Sequence, residues 1–236
     1  MNVSKTIKVF AVTVLFIAMK LPAALAGDYT ILAFGDSLTA GYGLAPDQGF
    51  TAQLEQALRQ QGHDITVING GVSGDTSSGG LSRLQWVLSS IKTGKPDLVI
   101  VELGANDALR GIAPDITRAN MENILAILAQ QKIKTLVAGM LAPPNMGAGY
   151  GEKFNRIFPD LSLKYKDDLY PFFLDGVAGD ASLNQSDAMH PNAKGVSVIV
   201  KKNHALRLGF SKNSLGPKRF ISSKSHFIVY CFYSSQ

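Results

Sequence analysis

The chain has 236 residues, and 23 Lys and Arg against 18 Asp and Glu give a formal net charge of +5. A hydrophobic share of 46% with 17% charged residues excludes a disordered chain. The single cysteine, Cys231, excludes an intramolecular disulfide framework and a cysteine-rich zinc site. The charge is unevenly spread. All 18 acids lie between Asp28 and Asp187, whereas residues 1–26 hold three cations, residues 201–236 hold seven, and neither end holds an acid. The 13 remaining cations face 18 acids, so residues 27–200 sum to −5. Basicity marks the two ends and gives no reason to expect a nucleic-acid partner.

Residues 1–26 read as a secretory signal peptide. Lys5 and Lys8 precede the apolar run Val9–Met19, and Ala24-Leu25-Ala26 fits a small-x-small cleavage site. The run is about half the ~20 residues that span a bilayer. The expectation is therefore a cleaved leader, a mature chain opening at Gly27 or Asp28, and a periplasmic or secreted protein with no stable membrane anchor. A short buried first helix is the alternative, and it explains the basic start and alanine-rich end less well.

Short apolar runs then alternate with helical patterns. Thr30–Phe34, Ile65–Ile68, Leu98–Glu102 and Thr135–Ala138 have the β-branched, nearly continuous hydrophobicity of parallel strands covered on both faces. A fifth strand around Leu169–Leu174 is weaker, because Pro171 removes a ladder donor and suits only an edge. Between them, helical spacing is found over Thr51–Gln61, Leu81–Lys92, Asp115–Gln131 and Lys153–Lys166, with Pro159 expected to end or kink the last of these. A final helix is expected over Asn192–Lys201, with Val196, Ile199 and Val200 inward. Repeated strand–helix units predict an open, mostly parallel α/β sheet of about five strands.

Ligands of such sheets gather beyond the carboxyl ends of the strands. The segments there are Gly35-Asp36-Ser37-Leu38, Asn69–Asp75, Gly104-Ala105-Asn106-Asp107 and, before the last helix, Asp187-Ala188-Met189-His190-Pro191. A serine hydroxyl needs a base to become a nucleophile, and His190 is the natural one. Asp187, three residues earlier, is within one turn of its Nδ1–H, where it would fix the tautomer and stabilise the imidazolium. The amides of Ser37 and Gly74 and the side-chain amide of Asn106 are candidate oxyanion donors. Each residue alone has an ordinary reading. Ser37 is as suited to capping a helix, the glycine-rich stretch and Asn106-Asp107 to turns, and Asp-x-x-His to a surface turn or half a metal site. A metal site would lack ligands, since the body offers only His63 besides His190. The joint occurrence of all four segments in this order favours acyl transfer. Residues 35–39 read Gly-Asp-Ser-Leu-Thr, so the Gly-x-Ser-x-Gly elbow of α/β-hydrolases is absent.

Gly35-Asp36-Ser37-Leu38, Gly74, Gly104-x-Asn106-Asp107 and Asp187-x-x-His190-Pro191 resemble the four blocks of the SGNH (GDSL) hydrolases, and within them the bacterial arylesterase, lysophospholipase and thioesterase branch. The likeness runs from about Thr30 to Val200. It implies a three-layer flavodoxin-like α/β fold with helices on both faces. It further implies Ser37 as nucleophile, His190 as base, Asp187 orienting it, and an oxyanion hole from Ser37, Gly74 and Asn106. It implies no metal or organic cofactor, and ester or thioester substrates bound between the 108–112 and 143–150 loops. Asp36, Asp75 and Asp107 are expected to hold these loops by local hydrogen bonds. The expected assembly is a monomer acting on a small molecule.

The resemblance stops after Val200. The stretch Lys201–Phe210 loses the apolar period, and residues 211–236 are basic, serine-rich and aromatic. The expected organisation is a signal peptide (1–26), a hydrolase domain (27–200) and an atypical tail (201–236). The tail reads as the product of a changed reading frame rather than a partner-binding extension or an added strand. Two other functions share these features: a carbohydrate O-deacetylase on the same fold, and a non-catalytic acyl- or lipid-binding protein if the altered end disables the site.

Overall fold

The structure is a computed structural model that describes residues 29–92 and 94–202. The expected leader, and the tail beyond Lys202, lie outside the described residues. Five parallel strands form one sheet in the order β2-β1-β3-β4-β5, with β1 Tyr29–Gly35, β2 Ile65–Gly71, β3 Leu98–Glu102, β4 Lys134–Ala138 and β5 Asp168–Tyr170. Ile31–Phe34 of β1 and all of β3 are buried, as strands covered on both faces require. The edge strand β2 is half-exposed, and its polar Asn69-Gly70-Gly71 end sits there without cost.

The helices are α1 Ser37–Ala40, α2 Phe50–Gln60, α3 Ser77–Ser90, α4 Ala105–Leu109, α5 Pro114–Gln130, α6 Ala148–Asn155, α7 Ile157–Tyr165 and α8 Ala193–Lys202, with a 3-10 turn at Pro144–Met146. Right-handed crossovers place α2 on one face of the sheet and α3, α5 and α7 on the other, and α8 returns to pack on α2. The result is three layers.

The differences from sequence expectation have local causes. Helix α3 begins at Ser77, four residues early, because Thr76 caps it through Gly79 N (3.3 Å) and its first turn holds two glycines that hide the period. The Lys153–Lys166 helix is two helices that break at Arg156 rather than at Pro159. Pro159 is the third residue of α7, where a missing N–H leaves no intrahelical bond unmade. Strand β5 stops at Tyr170, immediately before Pro171, while Gly139 N donates to Tyr170 O (2.8 Å) and Phe173 N to Gly139 O (2.8 Å).

The strand order reverses between β1 and β3, and such a switch point opens a crevice at the carboxyl edge. Register sharpens the location. Gly35 pairs with Gly71 on one side and with Glu102 on the other, so the segments leaving β1, β2 and β3 depart from one level. Those segments carry Ser37, Gly74 and Asn106.

Candidate active site

Asp36, not Ser37, is the N-cap of α1, and its Oδ1 accepts Leu38 N at 3.0 Å. Ser37 is thus the first helical residue, with its hydroxyl left for another partner. That partner is His190, whose Nε2 lies 2.9 Å from Ser37 Oγ. His190 Nδ1 lies 2.6 Å from Asp187 Oδ2, while Asp187 Oδ1 accepts the amides of Met189 (2.9 Å) and His190 (3.0 Å). The Asp187–His190 segment is therefore both a surface turn and a side-chain pair. Ala188 makes this compact geometry by adopting φ 57°, a left-handed conformation that costs a non-glycine residue about 1–2 kcal/mol.

The His190 amide, then its ring, then the Met189 amide hold the Asp187 carboxyl down to about 2. Asp187 is ionised throughout the neutral range and draws the imidazole proton to Nδ1. The Nε2 lone pair then faces the serine hydroxyl. The His190 ring rests against Tyr42, with centroids 4.6 Å apart, and its side chain is 16% exposed. Backbone ties fix the segment: Gln185 N donates to His190 O (2.8 Å), and Gln185 Nε2 donates to Tyr42 O (2.8 Å) and Pro191 O (3.0 Å).

Across the crevice, Gly74 takes φ 84°, available to glycine at little cost, in the turn after β2. Among the described residues, neither the Ser37 amide nor the Gly74 amide donates to a protein acceptor. Asn106 differs. Its Nδ2 donates to Asp36 Oδ2 (3.0 Å) and to Asp75 O (2.9 Å), so both amide hydrogens are engaged and the side chain ties the three strand ends together.

The sequence matches the GDSL-like Lipase/Acylhydrolase family over residues 33–198, a span holding all of these side chains. The chain belongs to this family of GDSL, or SGNH, hydrolases. It is an ester hydrolase. Over 175 residues it is 40% identical to Esterase TesA of Pseudomonas aeruginosa, covering 74% of this chain and 86% of that protein. It is 36% identical over 178 residues to the Thioesterase 1/protease 1/lysophospholipase L1 of Escherichia coli K12, covering 75% and 82%. The solved structure of AlinE4, an SGNH-hydrolase family esterase, is 47% identical and superposes with a TM-score of 0.67 over 78% of this chain and 98% of that one.

Around the site of this GDSL hydrolase stand polar residues that sequence patterns did not single out. Arg83, on α3, donates from Nε to Asp75 Oδ2 (2.5 Å), from Nη1 to Gly70 O (2.8 Å) and from Nη2 to Gly35 O (2.9 Å), and its guanidinium lies 4.2 Å from the Phe34 ring centroid. The expected local bonds of the three aspartates are replaced or extended by long-range ones. Asp75 binds Arg83 and Asp36 binds Asn106, while buried Asp107 accepts Ser77 N (2.7 Å), Ser77 Oγ (2.5 Å) and Thr117 Oγ1 (3.1 Å). Glu102, fully buried at the end of β3, accepts from Asp36 N (3.3 Å) and Thr39 Oγ1 (2.8 Å). No short-range motif announces Arg83 or Glu102.

Tyr42, Val72, Leu109, Leu141 and Met189 are exposed, and each lies on a segment following a strand end or flanking His190. The 108–112 and 143–150 loops meet where Tyr150 Oη donates to Ile112 O (2.8 Å), and Arg110 Nη2 reaches Gly74 O (2.7 Å). Among the described residues no helix is long and apolar enough to cross a membrane.

Proposed function

We propose that the protein is an exported serine esterase that cleaves carboxylic esters and thioesters (aryl esters, acyl esters and lysophospholipids) through an acyl-enzyme on Ser37. The observation carrying this reading is the chain of contacts from Ser37 Oγ through His190 to Asp187, at 2.9 and 2.6 Å. His190 Nε2 takes the hydroxyl proton as Oγ bonds to the acyl carbon, and the carbonyl electron pair moves onto oxygen. The Ser37 and Gly74 amides receive that oxyanion, and Asn106 joins them once one of its two present bonds yields. Such donors are worth about 10²–10³ in rate each. The imidazolium then protonates the departing alcohol or thiol. Water, deprotonated by the same nitrogen, releases the carboxylic acid and restores Ser37.

The exposed apolar side chains on the segments that carry the site suit an acyl chain better than a hydroxyl-rich saccharide, which favours acyl esters and thioesters over acetylated sugars. The thioesterase and lysophospholipase names of the Escherichia coli relative support the same class. Export rests on the Lys5, Lys8, Val9–Met19 and Ala24–Ala26 pattern.

The test is Ser37→Ala in the full chain. Hydrolysis of a p-nitrophenyl ester is expected to fall by at least about 10⁴-fold with the thermal midpoint retained. A fluorophosphonate is expected to label the parent and not the variant. Undiminished hydrolysis by Ser37→Ala overturns the proposal, and faster turnover of acetylated saccharides than of acyl esters redirects it to a deacetylase. N-terminal sequencing of the exported protein is expected to read from Gly27 or Asp28.

A further inference from the structure

We propose that Glu102 is a positioning residue for the nucleophile, holding the Asp36–Thr39 turn in place as a neutral carboxylic acid; this rests on Ser37 being that nucleophile. The turn bearing Ser37 is also held by the Asp36 cap on Leu38 N, by Asn106 at Asp36 Oδ2 and by Arg83 at Gly35 O, but only Glu102 bonds it on both sides of Ser37 from β3. Glu102 Oε2 receives Asp36 N, one residue before Ser37, and Thr39 Oγ1, two residues after it. Both bonds reach across from β3 to the turn that follows β1, so the nucleophile is fixed to the neighbouring strand as well as by its own turn.

Space has been made for this contact. A Cβ on Gly35 would lie 2.6 Å from Glu102 Oε2 and 2.2 Å from Thr39 Oγ1. The Glu102 backbone O, at 2.5 Å, closes the same space, so a glycine stands at position 35 because the Thr39 hydroxyl and both the backbone and the carboxyl of Glu102 crowd it.

Two carboxyls, Asp36 and Glu102, are fully buried side by side, and the hydrogen bonds decide which one is charged. Asp36 has a donor on each oxygen: Leu38 N on Oδ1 and Asn106 Nδ2 on Oδ2. Glu102 has both donors on Oε2, while Oε1 is buried with no partner among the described residues. A bare carboxylate oxygen in an apolar interior is expensive, so the negative charge sits on Asp36 and the proton on Glu102. Burial first, and the charge of Asp36 second, push Glu102 well above the ordinary 4.5, whereas burial raises Asp36 only to about 6. The other groups facing the pair are the Arg83 guanidinium, held at Gly35 O from α3, and the His190 ring, which favours ionised Asp36 whenever it carries a proton on both nitrogens. Neither meets Glu102 directly.

The experiment compares Glu102→Gln with Glu102→Met in the full chain. Gln copies a neutral acid, with one acceptor for Asp36 N and Thr39 Oγ1 and one donor; Met fills the volume and offers neither. Met is expected to lower kcat by about 10²-fold, the cost of a displaced reacting group, with KM changed less than about twofold. Gln is expected to recover kcat to within about threefold of the parent. The second readout does not depend on catalysis. In the parent, the unfolded chain ionises Glu102 above about 4.5 while the folded chain keeps the proton, so stability declines as pH rises through that window. Gln has nothing to ionise, and its thermal midpoint is expected to gain on the parent's as pH goes from 4.5 to 8. A Gln variant as impaired as Met, or a midpoint difference flat across that range, overturns the proposal. If Met does not fold, Glu102→Leu replaces it as the variant without acceptor or donor, and the same comparison with Gln decides. If Ser37→Ala keeps its activity the esterase mechanism falls, while the pH dependence of the Gln variant still tests the neutral acid.

Discussion

Replacing Arg83 by Met isolates what one half-buried cation does for the proposed oxyanion side of the site. The guanidinium makes three hydrogen bonds, at 2.5, 2.8 and 2.9 Å, to Asp75, Gly70 O and Gly35 O, and lies over Phe34. Arg83 and Asp75 have side chains only 16% exposed, so solvent screens the pair poorly. Removing one partner of such a pair costs about 3–5 kcal/mol, mainly through the stranded charge. At about 2–4 °C per kcal/mol for a domain of this size, the thermal midpoint should drop by roughly 6–20 °C. The loss should also reach catalysis. Asp75 O is one of the two acceptors of Asn106 Nδ2, Gly74 is its neighbour, and Gly35 leads into Ser37. Loosening these segments is equivalent to loosening one of the proposed oxyanion donors, so kcat should fall by about 10²-fold at nearly unchanged KM. The double variant Arg83→Met with Asp75→Asn removes the stranded carboxylate and should regain most of the midpoint, yet not kcat, because Gly35 O and Gly70 O still lack the guanidinium that joins them. Steady-state kinetics on a p-nitrophenyl ester beside calorimetry read both quantities. If kcat returns in step with the midpoint in the double variant, or stays within about threefold in the single one, Arg83 contributes to stability alone and the positioning argument is wrong.

Asp187→Asn keeps the shape of the turn but offers an amide to His190 Nδ1, favouring the wrong tautomer; kcat should fall by about 10⁴-fold, and single-turnover acylation rates check it. The Asp187 carboxylate, held at about 2, favours folding above its ordinary 3.8, and this is lost only as pH falls towards 2. A loss of activity between pH 7 and 4 therefore does not arise from Asp187, and the Asn variant should show the same stability profile over that range. Ala188→Gly relieves the left-handed φ of 57° and should raise the midpoint by a few degrees, about 0.5–1 kcal/mol after the extra chain entropy, with kcat within about twofold. A lowered midpoint would show that Ala188 bears no strain.

The two kinds of residue at this site differ in how they can be read from a sequence, and the reason is topological. Ser37 with its preceding cap Asp36, and Asp187 with His190, are pairs within three residues, so spacing alone expresses their geometry. The strands were legible for a related reason: burial on both faces writes itself as continuous β-branched hydrophobicity, as in Leu98–Glu102. Even there the pattern masked a fact, since Glu102 closes an apolar run as if turning to solvent and is instead fully buried. Arg83 and Glu102 owe their places to strand order and register. Glu102 meets the Ser37 turn only because β3 lies beside β1 with Gly35 opposite it, and Arg83 meets Gly35 and Gly70 only because α3 crosses from β2 over β1 to β3. Separations of 48 and 66 residues leave no local period or spacing to detect. The same logic explains Asn106. Its position after a strand pointed to the crevice, but its double engagement by Asp36 and Asp75 depends on three strand ends sharing one level. A group fully satisfied in the resting fold must exchange a bond to act on substrate, so the tie between Asn106 and Asp36 would set how readily the proposed third oxyanion donor is released. With the proposed neutral Glu102 leaving the charge on Asp36, the strength of that tie would be controlled from the strand behind Ser37.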